Sequence, residues 1–116
     1  MPPERVGART MGVAAEGDDR ATLLLGTQRA LVGAVGGSLY GACADLQGDL
    51  VVLTWYVAPN MPEDEREDLQ IAGTEVIADF GSGARLDERF VEVADRAQPL
   101  PAVGEWVFLR RGHTSA

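Results

Sequence analysis

Glu75 and Asp79 stand four residues apart in a stretch with helical periodicity. Carboxylates at that spacing share one side of a helix, where they can hold Mg²⁺ or act as an acid–base pair. A solvated polar face has the same pattern. Other reactive residue types are sparse, with one cysteine and one histidine in 116 residues. Cys43 falls in the middle of an apolar stretch, where a small buried residue fits; a reactive thiol needs access and a basic neighbour. His113 lies three residues from the end and is expected to be exposed and untethered. A Ser–His–acid arrangement is therefore not supported. Gly81-Ser82-Gly83-Ala84 follows a helical stretch, whereas phosphate-binding loops precede one. These residues predict a non-enzymatic protein with no cofactor and no resident metal. One cysteine also cannot close an internal disulfide.

The elements that would position such residues follow from hydrophobic spacing. Asp18-Asp19 can cap a helix running from Arg20 to Val35, with Leu24, Gln28, Leu31 and Val35 on one face. Leu23, Leu25 and Val32 widen that face, and Gly36-Gly37 ends the helix. Ser38–Leu46 and Leu50–Ala58 read as a hairpin around Gln47-Gly48-Asp49. The second of these strands is apolar at nearly every position, as a strand covered on both faces should be. Pro62 and the acids after it open a second helix, with Leu69, Ala72, Val76, Ile77 and Phe80 on its apolar face, and Gly81-Ser82-Gly83 stops it. Arg85–Val93 reads as a third strand, at an edge or with a bulge near Phe90-Val91, and Glu105–Arg110 as a fourth. Trp55, Tyr56, Trp106 and Phe108 all fall in strands, as core residues or as walls of a ligand pocket between sheet and helices.

The order αββαββ predicts an α+β domain over residues 20–111: a four-stranded antiparallel sheet with two helices on one face. Residues 1–19, rich in Gly, Ala, Arg and Asp, read as a flexible tail, and residues 112–116 as a frayed end. Met11 is a second candidate start beside Met1. The first residues contain no apolar core of the kind a secretory signal needs, and no apolar run reaches the roughly 20 residues of a membrane helix. The expectation is a cytoplasmic protein without a membrane partner.

Charge singles out one region. The chain carries 10 basic residues, all Arg, against 18 acidic ones, for a net −8. Residues 1–58 carry a net −2 and residues 96–116 a net +2, whereas residues 59–95 hold 11 acids against 3 Arg. The imbalance therefore belongs to the second helix and third strand. An acidic surface without a basic stripe is a poor match for nucleic acid and a good one for a basic protein. An acidic helix start also favours solubility and complements the helix dipole.

Gly73-Thr74-Glu75-Val76-Ile77-Ala78-Asp79-Phe80, followed by Leu100-Pro101-Ala102-Val103-Gly104-Glu105-Trp106-Val107-Phe108-Leu109-Arg110-Arg111, resembles a group of short bacterial proteins. Their second helix ends in a TEVIADF-like run, and a Pro-rich loop leads into a GEWVY-type closing strand. The resemblance covers about Thr27 to Arg111, and the group is associated with immunity proteins of colicin-type and contact-dependent inhibition systems. It implies a protein that neutralises a toxin domain. Joined to the charge pattern, it predicts a basic partner, such as a nuclease toxin domain, bound through Glu63, Asp64, Glu65, Asp68, Glu75 and Asp79. The alternative is a small homodimeric domain binding a ligand at the sheet face, or a metal at Glu75 and Asp79.

Overall fold

A computed structural model of the chain describes residues 13–81 and 83–116. The choice between Met1 and Met11, most of the expected tail, and Ser82 lie outside the described residues. Helix α1 spans Val13–Ala30, strand β1 Leu39–Gln47, strand β2 Leu50–Val57, helix α2 Glu63–Ala78, strand β3 Arg85–Glu92 and strand β4 Glu105–Leu109. The α+β order is as expected. The sheet is not purely antiparallel, however. Its strand order is β3-β2-β1-β4. β1 pairs antiparallel with β2 and with β4, but β2 and β3 run parallel in register from Leu50↔Arg85 to Val57↔Glu92. The reason is the connection. A parallel neighbour requires a crossover of a dozen or more residues, and the segment carrying α2 supplies it.

Helix α1 also departs from expectation. It begins at Val13, so Asp18 and Asp19 lie within the helix rather than capping it, and residues 13–19 are not a tail. It ends at Ala30, followed by a turn that closes through Ala34 N–H donating to Leu31 O, with Gly33 at φ +83°. That left-handed conformation is one a β-carbon disfavours, so Gly33 stops the helix before Gly36-Gly37 is reached. Leu23 and Leu31 are buried as expected, but Gly26 and Thr27 are buried with them while Gln28 is exposed. Leu25, Val32 and Val35 are exposed instead. Thr27 is accommodated because its hydroxyl donates to Leu23 O at 2.7 Å.

Buried side chains form two clusters. One joins Leu23 and Leu31 with Leu69 and Val76 of α2, and with Ala42, Ala44, Val51, Leu53, Trp55 and Val57 of the central strands. The other joins Tyr40, Cys43 and Tyr56 with Val93 and Leu100, flanked by Trp106 and Leu109. Alternation along β2 therefore sends side chains to two cores, which explains its near-continuous apolar run. Trp55 and Tyr56, neighbours in sequence, divide between them.

The last residues are pinned rather than frayed. Leu100 N–H donates to Thr114 O, Ala116 N–H donates to Leu100 O, and Trp106 Nε1 donates to Ser115 Oγ at 2.9 Å. His113, expected to be exposed, is only 8% exposed and stacks on Tyr40 with ring centroids 4.4 Å apart. Burial holds its imidazole below the ordinary value, and Arg96 and Arg110 act in the same direction. The folded state thus favours neutral His113. Its contribution to stability is full above about pH 6.5 and is lost as pH falls below that value. Accordingly, His113→Phe, which keeps a ring on Tyr40, is expected to shrink the fall in melting temperature between pH 7 and pH 5. An unchanged pH profile would contradict this role.

Candidate functional site

The six acidic residues singled out by sequence all lie on α2 or at its C-terminal end, but they do not form one surface. Pro62 is the N-cap residue, with extended backbone, and Glu63, Asp64 and Glu65 occupy the first turn, where carboxylates complement the helix dipole. Glu65 turns inward. It is half-buried, and its Oε1 accepts the Ser38 N–H at 3.0 Å. Across the same loop, Arg110 Nε donates to Leu39 O at 2.8 Å, and its Nη2 donates to Gly36 O at 2.7 Å. Glu65 therefore braces the segment between α1 and β1 and is not a free charge.

At about 100° per residue, Asp64, Asp68, Glu75 and Asp79 fall within roughly 60° of arc, while Glu63 lies about 100° from Asp64. These four are exposed and form no ion pair among the described residues, where the pairs are Arg20–Asp45, Arg85–Asp49 and Arg89–Asp87. Like charges at i,i+4, as in Asp64/Asp68 and Glu75/Asp79, destabilise a helix by about 0.2–0.5 kcal/mol per pair. The stripe is thus a modest burden on folding.

The stripe runs along the flank of α2 that faces α1. Glu75 and Asp79 line a shallow groove of about 160 Å³ with Gly26, Arg29 and Ala30. A second groove, of about 180 Å³, shares Ala30 and Glu75 with it and is bordered by Val32, Asp68 and Ile71. Asp79 approaches α1 closely: a β-carbon at Gly26 would lie 3.0 Å from its Oδ2. Among the described residues, no three His, Cys, Asp or Glu side chains converge as a metal site would require. Arg29 beside Glu75 and Asp79 further opposes a cation there.

A third acidic environment escaped the sequence reading. Glu88 of β3 points beneath α2, accepting a hydrogen bond from Trp55 Nε1 at 3.1 Å. Burial pushes its carboxyl above the ordinary range, and the Trp55 hydrogen bond and Arg66 partly oppose this. A β-carbon at Gly73 would collide with the Glu88 carboxylate, which accounts for a glycine in the interior of α2. The signal was present in the alternation Leu86, Glu88, Phe90, which places Glu88 between two apolar residues on one side of β3.

Over the second core, a groove of about 330 Å³ is lined by Thr54, Tyr56, Val91, Leu100 and Val103, with Arg89 and Glu92 also on its wall. Cys43 is buried beneath this face, and burial raises its thiol pKa. That makes it a packing residue rather than a nucleophile. No described helix is long and apolar enough to cross a membrane.

Residues 20–112 match the family described as MafI2 immunity protein. The chain belongs to the MafI2 immunity protein family. This match supports the resemblance at the level of toxin immunity, and a MafI2 immunity protein implies a toxin as partner. It also fits the boundaries of the fold, because it runs from within α1 to just beyond β4. No curated protein matches the chain.

Proposed function

We propose that this MafI2 immunity protein acts without catalysis, in the cytoplasm, by binding a basic toxin domain through the flank of α2 and occluding the toxin's substrate site. The observation that carries this reading is the stripe of Asp64, Asp68, Glu75 and Asp79, exposed and outside any ion pair among the described residues. A toxin that binds phosphates already presents positive charge, so a row of carboxylates can compete for that surface and speed encounter. In this reading both helices cover the same face of the sheet, since Leu23, Leu31, Leu69 and Val76 share one core cluster. The stripe, in this reading, lies on the outer, helical side. Glu63 borders the contact, and Glu65 supports it by bracing the neighbouring loop.

The test is protection. Cells expressing its cognate toxin domain should survive when this chain is co-expressed. They should lose that protection when Asp64, Asp68, Glu75 and Asp79 are changed to Asn, Asn, Gln and Asn. Full protection by the neutralised chain would overturn the assignment of the face.

A second reading, a small ligand-binding domain, is favoured by the groove beside Thr54 and Val91, whose volume falls within the usual range for small-molecule sites. Val91→Trp would fill that groove. The first reading expects toxin protection that survives this change; the second expects no protection, and small-molecule binding that is lost with it.

A further inference from the structure

The acidic flank carries an apolar centre. Val32 is 81% exposed and Ile71 57% exposed, and both border the groove that Asp68 and Glu75 also line. Neither exposure is an incidental consequence of a frayed element. Val32 sits in the turn fixed by Gly33, and the loop that follows is held by Glu65 and Arg110. Ile71 lies inside α2, outside the buried set Leu69, Ala72, Gly73 and Val76. The floor between them is made of small residues, Ala30, Ala34 and Ala72. Large aliphatic side chains around a small-residue floor, edged by carboxylates, have the anatomy of an interface core with a charged rim.

From this we infer that the groove between the turn after α1 and the helix α2 receives an apolar side chain of the toxin domain, flanked on the toxin by Arg or Lys that pair with Asp68 and Glu75. The inference rests on the immunity reading and adds the chemistry of the contact. The rim charges set the rate of encounter, and the apolar centre sets the lifetime of the complex. Charge complementarity selects the occupant. A second copy of this chain would bring Asp68 and Glu75 against another acidic surface, whereas a basic partner is attracted to them.

The experiment measures association and dissociation rates of the full chain with its cognate toxin domain. The variants are Val32→Ser with Ile71→Ser, and Val91→Ser as a control on the far groove. The double variant should dissociate at least tenfold faster, with its association rate, salt dependence and melting temperature close to those of the unsubstituted chain. Val91→Ser should change nothing. If the double variant dissociates at the unsubstituted rate while neutralising the acidic stripe slows association, the groove proposal fails and the immunity reading stands. If the unsubstituted chain does not bind the toxin domain, both fail.

Discussion

Trp55→Ala is expected to bring the protein close to unfolding at room temperature. Trp55 is fully buried in the cluster that joins both helices to the central strands. Truncating a core Trp to Ala typically costs about 3–5 kcal/mol. The change also removes the donor to the half-buried Glu88 carboxylate, and an unsatisfied buried group costs about 1–3 kcal/mol more. A domain of this size has a total stability of roughly 5–15 kcal/mol, so the loss is a large share of it. Urea denaturation followed by circular dichroism measures the effect. Trp55→Phe helps separate the two parts, because it keeps an aromatic ring in the core with a smaller cavity while losing the donor. It should therefore fall between the unsubstituted chain and Trp55→Ala. A midpoint for Trp55→Ala close to the unsubstituted one would contradict this account of the core. The Glu88 side of the pair has a pH signature. Because its folded pKa is raised, Glu88 contributes stability below the ordinary carboxylate range, and that contribution is lost as pH rises through the raised value. Glu88→Gln keeps an acceptor for Trp55 and has no charge to bury. Its stability relative to the unsubstituted chain should therefore increase from pH 4 to pH 7.

Neutralising the stripe should produce the largest effect on binding. With Asp64, Asp68, Glu75 and Asp79 changed to their amides, the net charge falls in magnitude from −8 to −4. Association with the toxin domain should slow by roughly ten- to a hundredfold at low ionic strength, while dissociation changes less. The fold should survive, because these four side chains are exposed and two like-charge repulsions along α2 are removed. Glu65 is deliberately left intact, since removing it would release the Ser38 N–H and loosen the loop beside the site. A matched variant neutralising Asp49, Glu92, Asp95 and Glu105 loses the same net charge elsewhere on the surface. It should retain most of the rate. Equal slowing in both variants would show a general charge effect rather than a site.

Local signals in the sequence carry the hairpin and α2, but not the bounds of α1 or the long-range pairings. The β1–β2 hairpin and the buried face of α2 follow from turn chemistry and from spacing within a single element, and both appear in the structure. The parallel pairing of β2 with β3 is set by the crossover through α2, which two-residue alternation cannot register. Its trace was the position of a helix between two strands. The buried face of α1 is legible only in part, at Leu23 and Leu31, because Gly26 and Thr27 do not look apolar, although both are buried. Gly26 makes room for Asp79, and Thr27 satisfies its hydroxyl within the helix. The C-terminal residues read as free because nothing local marks them as packed; it is the distant Leu100 and Tyr40 that hold them. At the candidate site, the acids were legible as a group from their concentration in one helix. Their division into a stripe, a loop brace and a separate buried Glu88 depends on how the helix faces the rest of the fold. Ile71 lay outside the apolar periodicity of α2 in plain view, but only the placement of Val32 across the groove makes it part of a surface.

The most direct test of the central claim is the association rate of the intact chain with its cognate toxin domain, measured across ionic strength. The account predicts fast association at low salt that falls steeply as salt rises, and a slow, nearly salt-independent rate for the chain neutralised at Asp64, Asp68, Glu75 and Asp79. Identical rates and salt slopes for the two chains would contradict it.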